Sequence, residues 1–127
     1  MSLYLRYESV VANSCGNHTG IFGLANGLAR SHRLSPCDQA WWRQNNDWLN
    51  AAYSDPATID PTLFDRALNP VTACWFKAGA RDVLERVPGY LALLDRYDVA
   101  WRLRQSDDPG LILYDDDVQI VVRPRHF

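Results

Sequence analysis

Clear alternation of apolar and polar residues, the period of a strand with one buried face, occurs only at the two ends of this chain. In the first segment Leu3, Leu5, Tyr7 and Val11 fall on one side and Tyr4, Arg6, Glu8 and Val10 on the other. Near the C-terminus Val99, Trp101 and Leu103 alternate with Arg102 and Arg104, and two further strand-like runs follow at Leu111 to Tyr114 and Val118 to Arg123. Turn-forming residues at Ser106 to Gly110 and Asp115 to Asp117 separate these runs and predict an antiparallel meander. A solitary strand leaves its backbone N–H and C=O groups unpaired, so the first segment is expected to pair with strands from the last third of the chain.

Between the two ends the periodicity is helical. Ile21, Leu24, Ala25, Leu28 and Ala29 predict a first helix. Gly23 and Gly27 lie one turn apart within it, each costing about 1 kcal/mol relative to alanine, which points to close packing against another backbone. Ser35-Pro36-Cys37-Asp38 is a helix start, with serine as N-cap, proline in the first turn and an acid to complement the cap. The second helix is expected to reach about Tyr53, with an apolar arc of Trp41, Trp42, Trp48, Leu49, Ala52 and Tyr53 in which Asn45 needs a hydrogen-bond partner. Asp55-Pro56 and Asp60-Pro61 mark a surface loop, the second pair placed to cap a short helix through Leu68, and Asn69-Pro70 ends or restarts it. Val71 to Phe76 fits either a short strand or a first helical turn. Ala80, Val83, Leu84, Val87, Leu91 and Leu94 then keep one stripe through Val87-Pro88-Gly89, as a kinked helix or two helices in line.

The expectation is a single α+β domain over residues 1–127. Its mainly antiparallel sheet has roughly four strands, the first strand plus a C-terminal three-stranded meander, with three or four helices packed on one face. Leu5, Trp41, Trp48, Leu84, Leu91, Trp101 and Ile120 are the expected core.

Composition narrows the function classes. A formal net charge of -2 exerts no general pull on nucleic acid, so nucleic acid is not an expected partner. No apolar run approaches the roughly 20 residues that cross a bilayer, and no signal-peptide pattern opens the chain, so the expected address is cytoplasmic and soluble. The three cysteines Cys15, Cys37 and Cys74 fit neither a disulfide framework nor a paired-thiol zinc site, and no metal is expected. Among 13 basic residues only Lys77 is a lysine, and arginine's planar fork suits carboxylates and phosphates.

The alternation places Tyr4, Arg6, Glu8, Arg102 and Arg104 on the sheet face away from the helices. The last strand adds either Gln119 and Arg123 or the apolar Val118, Ile120 and Val122. This face is either a solvated surface on which Arg6 and Glu8 compensate across strands, or a platform for a phosphate or carboxylate. Lys77 is a candidate phosphate contact or a chain snorkelling past Trp75 and Phe76. Asp115, in an aspartate-rich turn without the calcium-loop pattern, is a candidate catalytic acid or base if partial burial raises its pKa. Cys15 and His18 precede the first helix without any cysteine-nucleophile signature, which favours an inert thiol. His32 and His126 are expected at the surface. Trp42, bordering the helical stripe beside Arg43, and Tyr4 are candidates for a partner surface.

The order of Gly20-Ile21-Phe22, Cys74-Trp75-Phe76-Lys77 and the run from Pro109 to Gln119 resembles a group of small uncharacterised bacterial proteins, which implies no particular activity. The chain also has a likeness to the ADP-ribosyltransferase fold, in which a first-strand arginine or histidine meets the cofactor and an acid near a late strand assists transfer. That likeness implies NAD or a nucleotide as cofactor, with Arg6 and Asp115 in those places. The acid here is aspartate where that family generally has glutamate, and no middle Ser-Thr-Ser strand is found. Two functions are therefore carried forward. One is a binding or interaction module for a protein or a small anionic ligand. The other is a small NAD- or nucleotide-dependent transferase in which Arg6, Lys77 and Asp115 converge in one cleft.

Overall fold

The computed structural model describes residues 2–65, 67–69 and 71–125; His126 and Pro70 lie outside them. The class is α+β with an antiparallel sheet, as the periodicities predict. In chain order the elements are β1 (Tyr4–Ala12), β2 (His18–Gly20), α1 (Ile21–Arg30), α2 (Pro36–Ala52), α3 (Pro56–Ile59) and β3 (Ala73–Lys77). They continue with α4 (Arg81–Leu84), α5 (Val87–Arg96), β4 (Trp101–Ser106), β5 (Leu111–Asp115) and β6 (Gln119–Arg123).

β1 organises the sheet. β4 pairs along one of its edges from Tyr4 opposite Ser106 to Ser9 opposite Trp101. A strand has two edges, so the other is shared: β3 pairs at Tyr4 and Leu5, and β2 at Glu8 and Ala12. The two diverge around Arg6 and leave a fork. Beyond β3 come β6 and then β5. The sheet thus has six strands, and the expected C-terminal meander is split, with β5 and β6 forming a hairpin while β4 joins β1. The ambiguous Val71 to Phe76 segment contributes β3, because in a strand Trp75 and Phe76 pack on opposite faces. Phe76 meets Phe22 of α1 edge to face at 5.7 Å, and Trp75 joins Tyr4, Ile120 and Val122 on the far side.

That far side corrects one expectation. Tyr4, offered as a partner surface, is only 9% exposed within this second apolar cluster, because the apolar register of β6 faces it. The main core lies on the helical side, where Ile21, Ala25 and Leu28 of α1 meet Val87, Tyr90, Leu93 and Leu94 of α5. Of the expected core residues Ile120 is fully buried, whereas Leu5, Trp41, Trp48, Leu84, Leu91 and Trp101 are half-buried. The stripe shifts because there are two helices: α4 stops at Leu84 and α5 restarts with Pro88 in its first turn, which turns Tyr90 and Leu93 inward in place of Leu91.

α2 begins where its cap predicts, with Ser35 Oγ accepting from the Asp38 N–H. It reaches the core from outside through its tryptophans. Trp41 meets Tyr90 at 5.0 Å between ring centroids, and Trp42, half-buried, donates from Nε1 to Asn26 Oδ1 at 3.0 Å. Asn45 finds its partners in the Trp41 carbonyl and Arg86. Asp55, not Asp60, caps a short helix; the Asp60 carboxylate instead accepts from Thr62 in a turn. A Cβ at Gly23 would stand 2.9 Å from Thr19 Cγ2, so the close packing is against a side-chain methyl rather than the expected backbone, whereas Gly27 faces open space and has no such explanation.

Gly89 has a packing role that local sequence did not show. A Cβ there would overlap the Trp41 indole, so the bare helix surface is what admits the ring. Gly89→Ala should therefore destabilise the fold by about 1–2 kcal/mol in urea denaturation, overpacking outweighing the helix-propensity gain. Adding Trp41→Leu should remove that penalty, and an additive double variant would show that the two positions do not meet.

Candidate functional site

The alternation was right about which side chains share the arginine-rich face, and the structure shows what holds them there. Glu8 is 1% exposed and is ringed by guanidinium groups. Arg6 Nε donates to its Oε1 at 2.7 Å, and Arg102 donates twice to Oε2, at 2.9 and 2.7 Å. Arg104 Nη1 stands 3.6 Å from Oε1, its guanidinium carbon 5.2 Å from the centre of the Trp75 ring. Burial alone would raise the Glu8 pKa, but the hydrogen bonds from Arg102 and Arg6 outweigh it and hold the carboxyl below its usual value. The centre of the expected anion platform is thus filled by the chain's own carboxylate.

Arg6 also closes the fork in the sheet. Its Nη1 donates to the Cys74 carbonyl of β3 at 2.8 Å and its Nη2 to the His18 carbonyl of β2, acceptors that diverging strands would otherwise leave unpaired. Arg6 borders two cavities, one of about 230 Å³ on the arginine-rich side and one of about 650 Å³ on the helical side.

The larger cavity lies within the usual size range of small-molecule sites. Tyr7, Cys74, Phe76 and Gln119 form its floor from the sheet, and Gly20 to Gly23 at the start of α1 form one wall. Leu49, Asn50 and Tyr53 come from the end of α2, and Asp55, Pro56, Phe64 and Thr72 from the segment leading to β3. The lining is mainly apolar and aromatic. The side chains of Asn50, Tyr53, Thr72 and Gln119 make none of the hydrogen bonds found among the described residues. Burial pushes the Cys74 thiol pKa up, with Arg6 lowering and Asp55 raising it, so at neutral pH it is a thiol rather than a nucleophilic thiolate.

Lys77 and Asp115 share the arginine-rich face but line neither cavity. The Lys77 ammonium is 2.6 Å from Asp115 Oδ1, and this bond raises the lysine pKa. Arg6, Lys77 and Asp115 therefore do not form the common cleft expected of a transferase. Cys15 and His32 are exposed, while the His18 ring nitrogen Nδ1 lies 2.9 Å from the Ser9 carbonyl. In the aspartate-rich turn Asp116 accepts from the backbone of Val118 and Gln119 and from the Tyr114 hydroxyl.

No described protein family, curated protein or solved structure matches the chain. The cavity floor and α1 wall were missed by site-by-site reading. A signal for them was present, because each of the motifs Gly20-Ile21-Phe22, Cys74-Trp75-Phe76-Lys77 and the run ending in Val118-Gln119 supplies lining residues.

Glu8→Gln keeps the shape and removes the charge that three arginines share, which should cost about 3 kcal/mol of stability at pH 7. Because the folded pKa of Glu8 is depressed, its contribution is complete above the ordinary value of 4.5 and is lost as pH falls through the folded value. Chemical denaturation from pH 7 to pH 3 should therefore show the wild type converging on Glu8→Gln in acid. A constant gap across that range would rule out this ion cluster as the source.

Proposed function

We propose that this chain is a binding module for a small organic molecule, held in the cavity between the sheet, the start of α1 and the end of α2. What supports this reading is a cavity of about 650 Å³ with an apolar body and a few uncommitted polar side chains, the usual composition of a ligand site. A protein partner docking on Tyr4 and Trp42 draws no support, since the first is buried and the second is packed and hydrogen-bonded. Nor does a transferase gain support, with Lys77 and Asp115 paired outside the cavity.

Binding here requires no chemistry from the protein. The aromatic faces of Phe22, Phe76 and Tyr53 offer apolar area, and Asn50, Thr72 and Gln119 offer donors and acceptors to fix orientation. A ligand that recognises only the folded state raises stability in proportion to the logarithm of its concentration, by about 2.7 kcal/mol at a hundred times Kd.

A fragment library screened by thermal shift should therefore give hits that raise Tm in a dose-dependent manner and perturb the backbone NMR signals of Phe22, Phe76 and Gln119. Val118→Trp, which places an indole at the cavity, should abolish these shifts while leaving the circular dichroism spectrum unchanged. Hits that bind the folded Val118→Trp variant equally well, or perturb only surface residues, would overturn the assignment of the cavity.

A further inference from the structure

We infer that the molecule held in this cavity is a carboxylate with an apolar body, its charged end resting on Arg6 beside Gly20. This rests on the cavity being a ligand site. The charged residues lining the cavity are Arg6 and Asp55. They differ in setting. The Arg6 side chain is 11% exposed, so its charge acts across a low-dielectric path, whereas Asp55 is exposed and its Oδ1 already accepts from the Ala57 N–H.

Arg6 also retains capacity. A guanidinium carries five N–H groups, and Glu8, Cys74 and His18 take one each, leaving two. The cluster behind it is cationic, with three guanidinium charges from Arg6, Arg102 and Arg104 against the one carboxylate of Glu8. Arg6 is the member of that cluster that also borders the larger cavity.

Gly20 leaves this guanidinium uncovered. Its backbone, at φ −66° and ψ 159°, is open to any residue, so nothing in the conformation calls for glycine. A Cβ there would lie 3.6 Å from Arg6 Nη1, 3.9 Å from Nη2 and 3.8 Å from the Tyr7 carbonyl oxygen, in ordinary contact with the guanidinium. A glycine with no conformational need, placed where a methyl would cover a cation, is what an anionic ligand head requires. The body of such a ligand would then lie along Phe22 and Phe76.

The test uses three probes of one shape: 3-phenylpropionate, its primary amide and 3-phenylpropylamine, each titrated into the wild-type protein and followed by NMR. The acid should bind at least tenfold more tightly than the amide, with perturbations at Gly20, Phe22 and Phe76. Gly20→Ala should weaken the acid about tenfold and leave the amide unchanged; this avoids Arg6 itself, whose replacement would open the sheet. Equal binding of acid and amide at these residues would overturn the carboxylate while keeping the cavity as a ligand site. Preference for the amine would overturn it by making Asp55 the stronger pole. If none of the three binds while library fragments do, the carboxylate inference alone fails. If nothing enters the cavity, both readings fall.

Discussion

The buried carboxylate of Glu8 couples charge to topology. A strand flanked on one edge by two diverging partners leaves backbone acceptors facing a gap, and Arg6 fills that gap with the donors they need. A buried guanidinium is tolerable there because Glu8 stands beside it, and a buried Glu8 is tolerable because Arg102 and Arg104 reach it from β4. The alternative in which β4 pairs with β5 would carry both arginines away and leave a buried ion pair with fewer hydrogen bonds. Stranding a buried charge costs several kcal/mol, comparable with the whole stability of a small domain. The placement of β4 on β1 is thus the one that satisfies these charges together.

This explains which parts of the fold were legible. Side-chain direction follows from local alternation, so Tyr4, Arg6, Glu8, Arg102 and Arg104 were assigned to one face correctly. Caps are local too, hence Ser35 at the start of α2 and the demand for a partner at Asn45. Strand order is not local. Sequence neighbours usually pair, which suggested a meander, and nothing in the run from Trp101 to Ser106 names β1 as its partner. Tyr4 was misjudged for the same reason: a tyrosine among charged residues looks exposed until Trp75, Ile120 and Val122 are brought beside it by β3 and β6.

The site was less legible than the fold because no single segment contains it. Phe22 and Cys74 stood in the sequence only as members of short motifs and Gln119 as one of two options for the arginine-rich face, and their relation exists only once three strands and two helices are in place. Arginines and aspartates announce themselves in a sequence by their charge. Yet Lys77 and Asp115 spend that charge on one another, and the arginines spend much of theirs on Glu8. The proposed reading rests instead on polar side chains left without a protein partner, and only the folded chain identifies them.

The start of α1 is where framework and cavity become one problem. Gly23 packs against Thr19 closely enough that a Cβ would have to displace the threonine methyl, so the first turn of the helix is held to β2. β2 in turn is held to the fork through the His18 carbonyl and Arg6. The wall formed by Gly20 to Gly23 is therefore registered to the Glu8 cluster through a short chain of contacts rather than through a flexible loop. Under the proposed reading, a ligand in the cavity would meet a surface whose position is set by the buried ion cluster around Glu8, and this preorganisation would limit the ordering cost of binding. The same coupling means that a change at Arg6 alters the sheet, the wall and the field in the cavity together, whereas at Gly20, paired opposite Glu8 at the end of β2, an added methyl would rest at ordinary contact distance, 3.6 Å from Arg6 Nη1.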